Sequence, residues 1–131
     1  MTEPVWVTRE DCLSFHDKLL ARFGGAAGVR DDGLLSSALL RPRNLFAYEK
    51  PSLFQLAATY AHGIVKNHPF IDGNKRSGFL AATLFLESNG LRFNGSESEA
   101  VIKTLALAAG AITTTEFADW LEASCPVGNS S

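Results

Sequence analysis

One run of ten residues, Asn67-His68-Pro69-Phe70-Ile71-Asp72-Gly73-Asn74-Lys75-Arg76, concentrates the reactive side chains of this sequence. A histidine titrates near neutral pH, so His68 suits a general base. Four positions on, Asp72 offers hard oxygen ligands for a cation such as Mg²⁺. Gly73 and Asn74 then open a helical pattern. A helix start with a glycine presents free backbone N–H groups and the positive end of the helix dipole, which together attract anions. Lys75 and Arg76 add fixed positive charge suited to phosphate oxygens. A base, a metal ligand, an anion hole and two cations are the parts of a phosphoryl or nucleotidyl transfer. Taken singly, each piece has an ordinary structural use: a His-Pro turn, an Asp-Gly-Asn helix start, a solvated Lys-Arg face.

The elements that must position this run are helical. Apolar residues at Leu13, Leu19, Leu20 and Phe23 set a first helix from about Thr8 to Arg22, capped by Thr8 and stopped at Gly24-Gly25. His16 falls on that stripe and reads as a hydrogen-bonded core histidine. A second, short helix is expected from Gly33 to Leu40, capped by Asp31 or Asp32 and ended by Arg41-Pro42, because the residue before proline is pushed out of the α region. Residues 42–51 alternate in polarity and read as a loop or small hairpin. A third helix begins at the Ser52/Gln55 capping box, repeats apolar residues from Leu53 to Val65 and ends near Asn67. His62 within it reads as structural. A fourth runs from Gly73 or Asn74 to Asn89-Gly90; apolar almost all round, it is expected to be the central helix. Capping-box patterns at Ser96/Glu99 and Thr113/Glu116 mark two more. Gly24, Gly25 and Gly28 lack the Lys-Ser/Thr of a phosphate loop and read as helix stop and turn. The expected fold is all-α, a compact bundle of about six helices with a short flap hairpin. Residues 1–125 form one domain on this reading, and 126–131 a disordered tail.

Composition narrows the function. The 131 residues are 46% hydrophobic and 20% charged, ordinary for a globular domain with a real core. A net charge of -2 argues against a dedicated nucleic-acid binder. No charge-free stretch reaches the ~18 residues of a membrane span, and residues 1–11 lack the features of a signal peptide. Cys12 and Cys125 lie far apart and read as free thiols in a cytoplasmic protein.

The segment from His68 to Arg76 resembles the signature of the Fic/Doc superfamily, in the Asn-Lys-Arg form of the death-on-curing (Doc) toxins. Phe23-Gly24-Gly25, Gly28-Val29-Arg30-Asp31, Tyr48-Glu49 and Asn89-Gly90 follow the family order as well. The resemblance implies ATP as co-substrate and Mg²⁺ as cofactor. It makes His68 the base that deprotonates a target hydroxyl, Asp72 the metal ligand and Arg76 a phosphate partner. Gly73, Asn74 and Lys75 complete the nucleotide site, with the Asn74 side chain helping to orient phosphate. Phe70 is a core anchor. Residues 41–51, with Arg41, Arg43, Phe46 and Tyr48, match the flap that docks an extended piece of the target by strand-like pairing. Family members that transfer AMP carry glycine and a second arginine where this chain has Lys75 and Phe79. The resemblance therefore favours a kinase that modifies a translation factor, elongation factor Tu being the expected target. AMP transfer is the alternative, favoured by Pro69 and Gly73, and a silent docking module is a third. Self-silencing members carry a glutamate followed by Gly or Asn in an inhibitory helix. None of the glutamates here is so followed, so a separate antitoxin protein is expected as partner.

Overall fold

The computed structural model describes residues 2–126, and within them the chain forms six α-helices. These are α1 (Arg9–Phe23), α2 (Asp32–Glu49), α3 (Leu53–Asn67), α4 (Asn74–Ser88), α5 (Glu97–Ala109) and α6 (Thr114–Ala123). Local signals start most of them. Thr8, Ser52 and Thr113 each exchange hydrogen bonds with the residue three places on, and the Asp31 carboxylate accepts from the Leu34 N–H. Ser96 caps α5, but Glu99 does not reciprocate: its carboxylate accepts from the Trp120 indole N–H at 3.0 Å and ties α5 to α6. The tail expected over 126–131 lies outside the described residues apart from Pro126.

Two expectations need correction. The segment read as a flap hairpin, residues 42–51, is helical as far as Glu49, because α2 runs through Pro42 for 18 residues. A proline inside a helix costs about 3 kcal/mol. Here its ring is fully buried, and Leu45 and Phe46 beyond it pack against the core. Full burial of a Leu or Phe side chain contributes about 1.5–3 kcal/mol; the partial burial of Leu45 and Phe46, added to that of Pro42 itself, offsets the cost, and the helix continues. Positions 35, 38, 42 and 45 keep one face to the core across the proline. The turn comes later, where Lys50 adopts a left-handed conformation (φ 49°) ahead of Pro51.

The second correction concerns the centre of the bundle. It is α3, not α4: α3 packs against α2, α4, α5 and α6. Its small residues allow close approach. A Cβ at Gly63 would stand 3.1 Å from that of Ala38 on α2, and one at Gly78 of α4 would stand 3.1 Å from the Ala61 carbonyl of α3. Tyr60, Ile64 and Val65 fill the spaces between these crossings. The N-terminal segment closes the bundle: Trp6 stacks on Phe85, and Asn89 pairs with both the N–H and the C=O of Val5. Cys12 and Cys125 are free and buried, and burial pushes the Cys12 thiol up to about 12, so it stays protonated and inert. No helix among the described residues is long and apolar enough to cross a membrane.

Candidate active site

The central helix ends at the reactive run. His68 terminates α3 in a left-handed conformation (φ 49°), which costs an L-residue about 1–2 kcal/mol, and it does so directly before a proline. Four contacts hold it there. Its N–H donates to Ile64 C=O at 3.1 Å, and Arg30 Nε donates to its carbonyl at 2.6 Å. Arg30 Nη2 reaches the Asn67 carbonyl at 2.8 Å, and Asn67 Nδ2 donates to Leu34 C=O at 3.0 Å. The loop after α1 then runs beside the motif. Arg30 and Asp31 N–H groups both donate to Pro69 C=O, Ile71 N–H donates to Gly28 C=O, and Val29 bridges Phe70 in antiparallel fashion. Strand-like pairing is thus present, but it clamps the motif itself.

Beyond Pro69 the chain dips into the core and returns. Phe70 is fully buried and stacks on the His16 ring with centroids 3.9 Å apart. His16 Nε2 lies 2.8 Å from the Asp72 carbonyl; a carbonyl only accepts, so Nε2 carries the proton. Asn74 is buried, with Oδ1 accepting from the Phe70 N–H and Nδ2 donating to the Phe70 C=O, both at 2.9 Å. Both polar atoms of the side chain expected to orient phosphate thus bond the loop backbone, which leaves its second amide N–H unused. Gly73 precedes α4 at φ 77° with no side-chain cap. A Cβ there would meet Leu19 at 3.2 Å, so glycine is required on two counts. The first ladder bond of α4 is Ser77 N–H to Gly73 C=O, leaving the N–H groups of Asn74, Lys75 and Arg76 ahead of the ladder. The Gly73 N–H itself donates to Asp72 Oδ1 at 2.8 Å.

The exposed side chains of His68, Asp72, Lys75 and Arg76 line one cleft of about 600 Å³. Its other wall is α5, through Glu97, Ala100, Val101, Thr104 and Leu105, and α1 contributes Leu19, Arg22 and Phe23. A sequence profile of the Fic/DOC family matches residues 6–86, from Trp6 through all of this loop and nearly all of α4. The chain belongs to the Fic/DOC family. It is 34% identical over 116 residues to the protein kinase doc of Escherichia phage P1, covering 88% of this chain and 91% of the relative. It is 40% identical over 96 residues to toxin Doc of Mycolicibacterium smegmatis, covering 70% and 68%. A Fido domain-containing protein of Dictyostelium discoideum matches 62 residues at 42% identity, 45% of this chain and 43% of the relative.

Within this Fic/DOC chain the carboxylate of Asp72 fits a hard cation. Oδ1 is fixed by Gly73, while Oδ2 faces the bare backbone of Gly25, where a Cβ would stand only 2.8 Å away. Gly25 therefore does more than stop α1; it leaves room for that oxygen. No group of three or more His, Cys, Asp or Glu side chains surrounds a metal position among the described residues. Mg²⁺ commonly takes one or two carboxylates and completes its shell with water and substrate phosphates, and a lone Asp72 suits that pattern.

The four residues expected to dock a target do not share one surface. Arg41 and Tyr48 stand two turns apart on α2 and line an open groove with Gln55, Thr59, Thr114 and Thr115. Arg43 and Phe46 turn instead to Trp6, the guanidinium 5.6 Å over its ring and Phe46 edge-on at 5.7 Å. Arg41 Nη1 also donates to Nδ1 of His62, a half-buried residue whose pKa is lowered by burial and then by Arg41 and Lys66. Sequence reasoning gave Arg30 no role and took His16 for a generic core residue. Both act on the motif backbone across 38 and 56 positions of chain, and only the Gly-Val-Arg-Asp fragment hinted at it.

Proposed function

We propose that this chain is a cytoplasmic Doc-type toxin that transfers the γ-phosphate of ATP to a hydroxyl of a translation factor and so blocks translation. Elongation factor Tu is the target expected from the family resemblance. The observation that carries the reading is the uncapped start of α4, which opens into one cleft with His68, Lys75 and Arg76. His68 takes the proton of the target hydroxyl, whose oxygen attacks the γ-phosphorus as the bond to ADP breaks and ADP leaves. The N–H groups at the head of α4, with Lys75 and Arg76, stabilise the charge on the transferred group. Mg²⁺ on Asp72 would neutralise charge on the nucleotide phosphates. Arg41 and Tyr48, in their open groove, are the α2 residues we assign to the target.

Phosphate is favoured over AMP as the transferred group. Lys75 stands where AMP-transferring members have glycine, and the relative from phage P1 is named a protein kinase. Phe79, at the place of their second arginine, packs its ring on Phe93 and Trp120 and brings no charge. Pro69 and Gly73 support AMP transfer as the second reading. The relatives named as Doc also support a separate antitoxin as partner. Strong expression of the soluble chain alone should arrest growth and amino-acid incorporation, and co-expression of the neighbouring gene should relieve the arrest. Normal growth with active, soluble protein would overturn the toxin reading.

A further inference from the structure

The last turn of α1 brings a third strong cation to the cleft. Arg22 and Phe23 line it opposite the first turn of α4. Phe23 is 47% exposed, unusual for a residue with so large an apolar side chain, and its ring has two guanidiniums near it. Arg76 lies over it with Cζ 4.2 Å from the centroid, and Arg22 lies 5.1 Å from the same centroid. The two guanidiniums are therefore no further apart than those two distances laid end to end. Among the described residues neither forms an ion pair, the one such pair being Arg9 with Asp32, and neither donates a side-chain hydrogen bond. The remaining charged groups of the cleft are Lys75, Asp72, whose Oδ1 is taken by Gly73, and Glu97 on the α5 wall.

Two guanidiniums sharing one exposed ring repel weakly through water, and an anion bound between them reverses that repulsion. A guanidinium held over an aromatic face spends no N–H donor on that contact, and its fork of donors takes phosphate oxygens in pairs. We propose that Arg22 is a phosphate-binding residue of this cleft: with Arg76 it forms a two-arginine clamp on the polyphosphate of the nucleotide, and Phe23 is the platform that spaces and orients the pair. The clamp rests on the nucleotide-transfer reading above and adds to it a residue from outside the motif. It grips phosphates rather than base or sugar, so it discriminates by phosphate count.

Binding of ATP and AMP to the full chain with Mg²⁺, measured by titration calorimetry, tests this. Arg22→Ala should weaken ATP about ten- to a hundred-fold, the loss of one charge-assisted phosphate contact, and leave AMP far less affected. Arg22→Lys should recover part of the loss, and Phe23→Leu should weaken ATP as well. Arg92→Ala, exposed beyond the end of α4 that lies away from the cleft, should change nothing. Arg22 is exposed, so thermal stability should be unchanged in Arg22→Ala and report that the fold is intact. ATP affinity in Arg22→Ala within twofold of the parent, or an equal loss for ATP and AMP, overturns the clamp alone. A parent chain that binds neither nucleotide overturns the clamp together with the transfer reading.

Discussion

Residues 67–74 and residues 41–49 flank different ends of α3, and they solve the same problem in opposite ways. In the first stretch the chain leaves the helix, so its N–H and C=O groups need partners from elsewhere. Arg30, Asn67, His16 and Asn74 each spend their polar atoms on backbone groups. In the second stretch the helix ladder serves the backbone, and side chains are left to pack, like Pro42 and Phe46, or to face water, like Tyr48 at 87% exposure. An irregular segment held by many long-range bonds keeps a strained residue such as His68 in place. The interior of a regular helix spends its backbone groups on its own ladder, but it tolerates change on its outer face.

That contrast makes ordered predictions. His68→Ala should lower transfer 10²–10⁴-fold, the usual worth of a positioned base, while the melting temperature holds within a few degrees, because alanine carries the same left-handed backbone cost. Comparable activity in the two proteins would remove His68 from the chemistry. Asn74→Ala should do the reverse in part. It strands a buried N–H and C=O of Phe70, a loss of about 2–4 kcal/mol in denaturant unfolding, and activity should fall because the loop loosens. An unchanged unfolding midpoint would show that the loop does not depend on that pair.

On the α2 side the effects are smaller. His62 has a lowered pKa, caused first by burial and then by Arg41 and Lys66. Folding therefore favours its neutral form. Its contribution is complete above the unfolded histidine value of about 6.5 and is lost as pH falls through the lower folded value. Thermal melts should show a decline below about pH 6.5 that His62→Gln flattens; identical pH profiles would contradict this. Smallest of all, Tyr48→Ala should change stability by no more than about 0.5 kcal/mol and leave ATP affinity alone, while raising KM for the protein target. An unchanged KM would take Tyr48 out of target docking.

Legibility followed the range of the forces involved. Thr8, Ser52 and Thr113 announce helix starts because a cap acts within three residues. The reactive types of the motif are contiguous, so the candidate chemistry is readable without a fold. Pro42 misleads because a local rule opposes burial of Leu45 and Phe46, which depends on tertiary partners; the spacing of 35, 38, 42 and 45 was the available countersignal. The centrality of α3 is hidden for a related reason. Gly63, Ala57, Ala58 and Ala61 add little apolar weight, yet their smallness lets four helices close around them. Arg30 and His16 were beyond reach, since a donor's carbonyl 38 or 56 residues away leaves no local trace.

The central claim is that this cleft moves a phosphoryl group from ATP to a protein hydroxyl. Intact mass spectrometry of a translation factor incubated with the purified chain, Mg²⁺ and ATP, in parallel with ATP labelled at the α or the γ position, addresses it in one step. The account predicts a gain of about 80 Da carrying the γ label only, lost with His68→Ala. A gain of about 329 Da carrying the α label would mean AMP transfer and contradict it. No gain from a chain that arrests growth would contradict transfer of either kind to that factor.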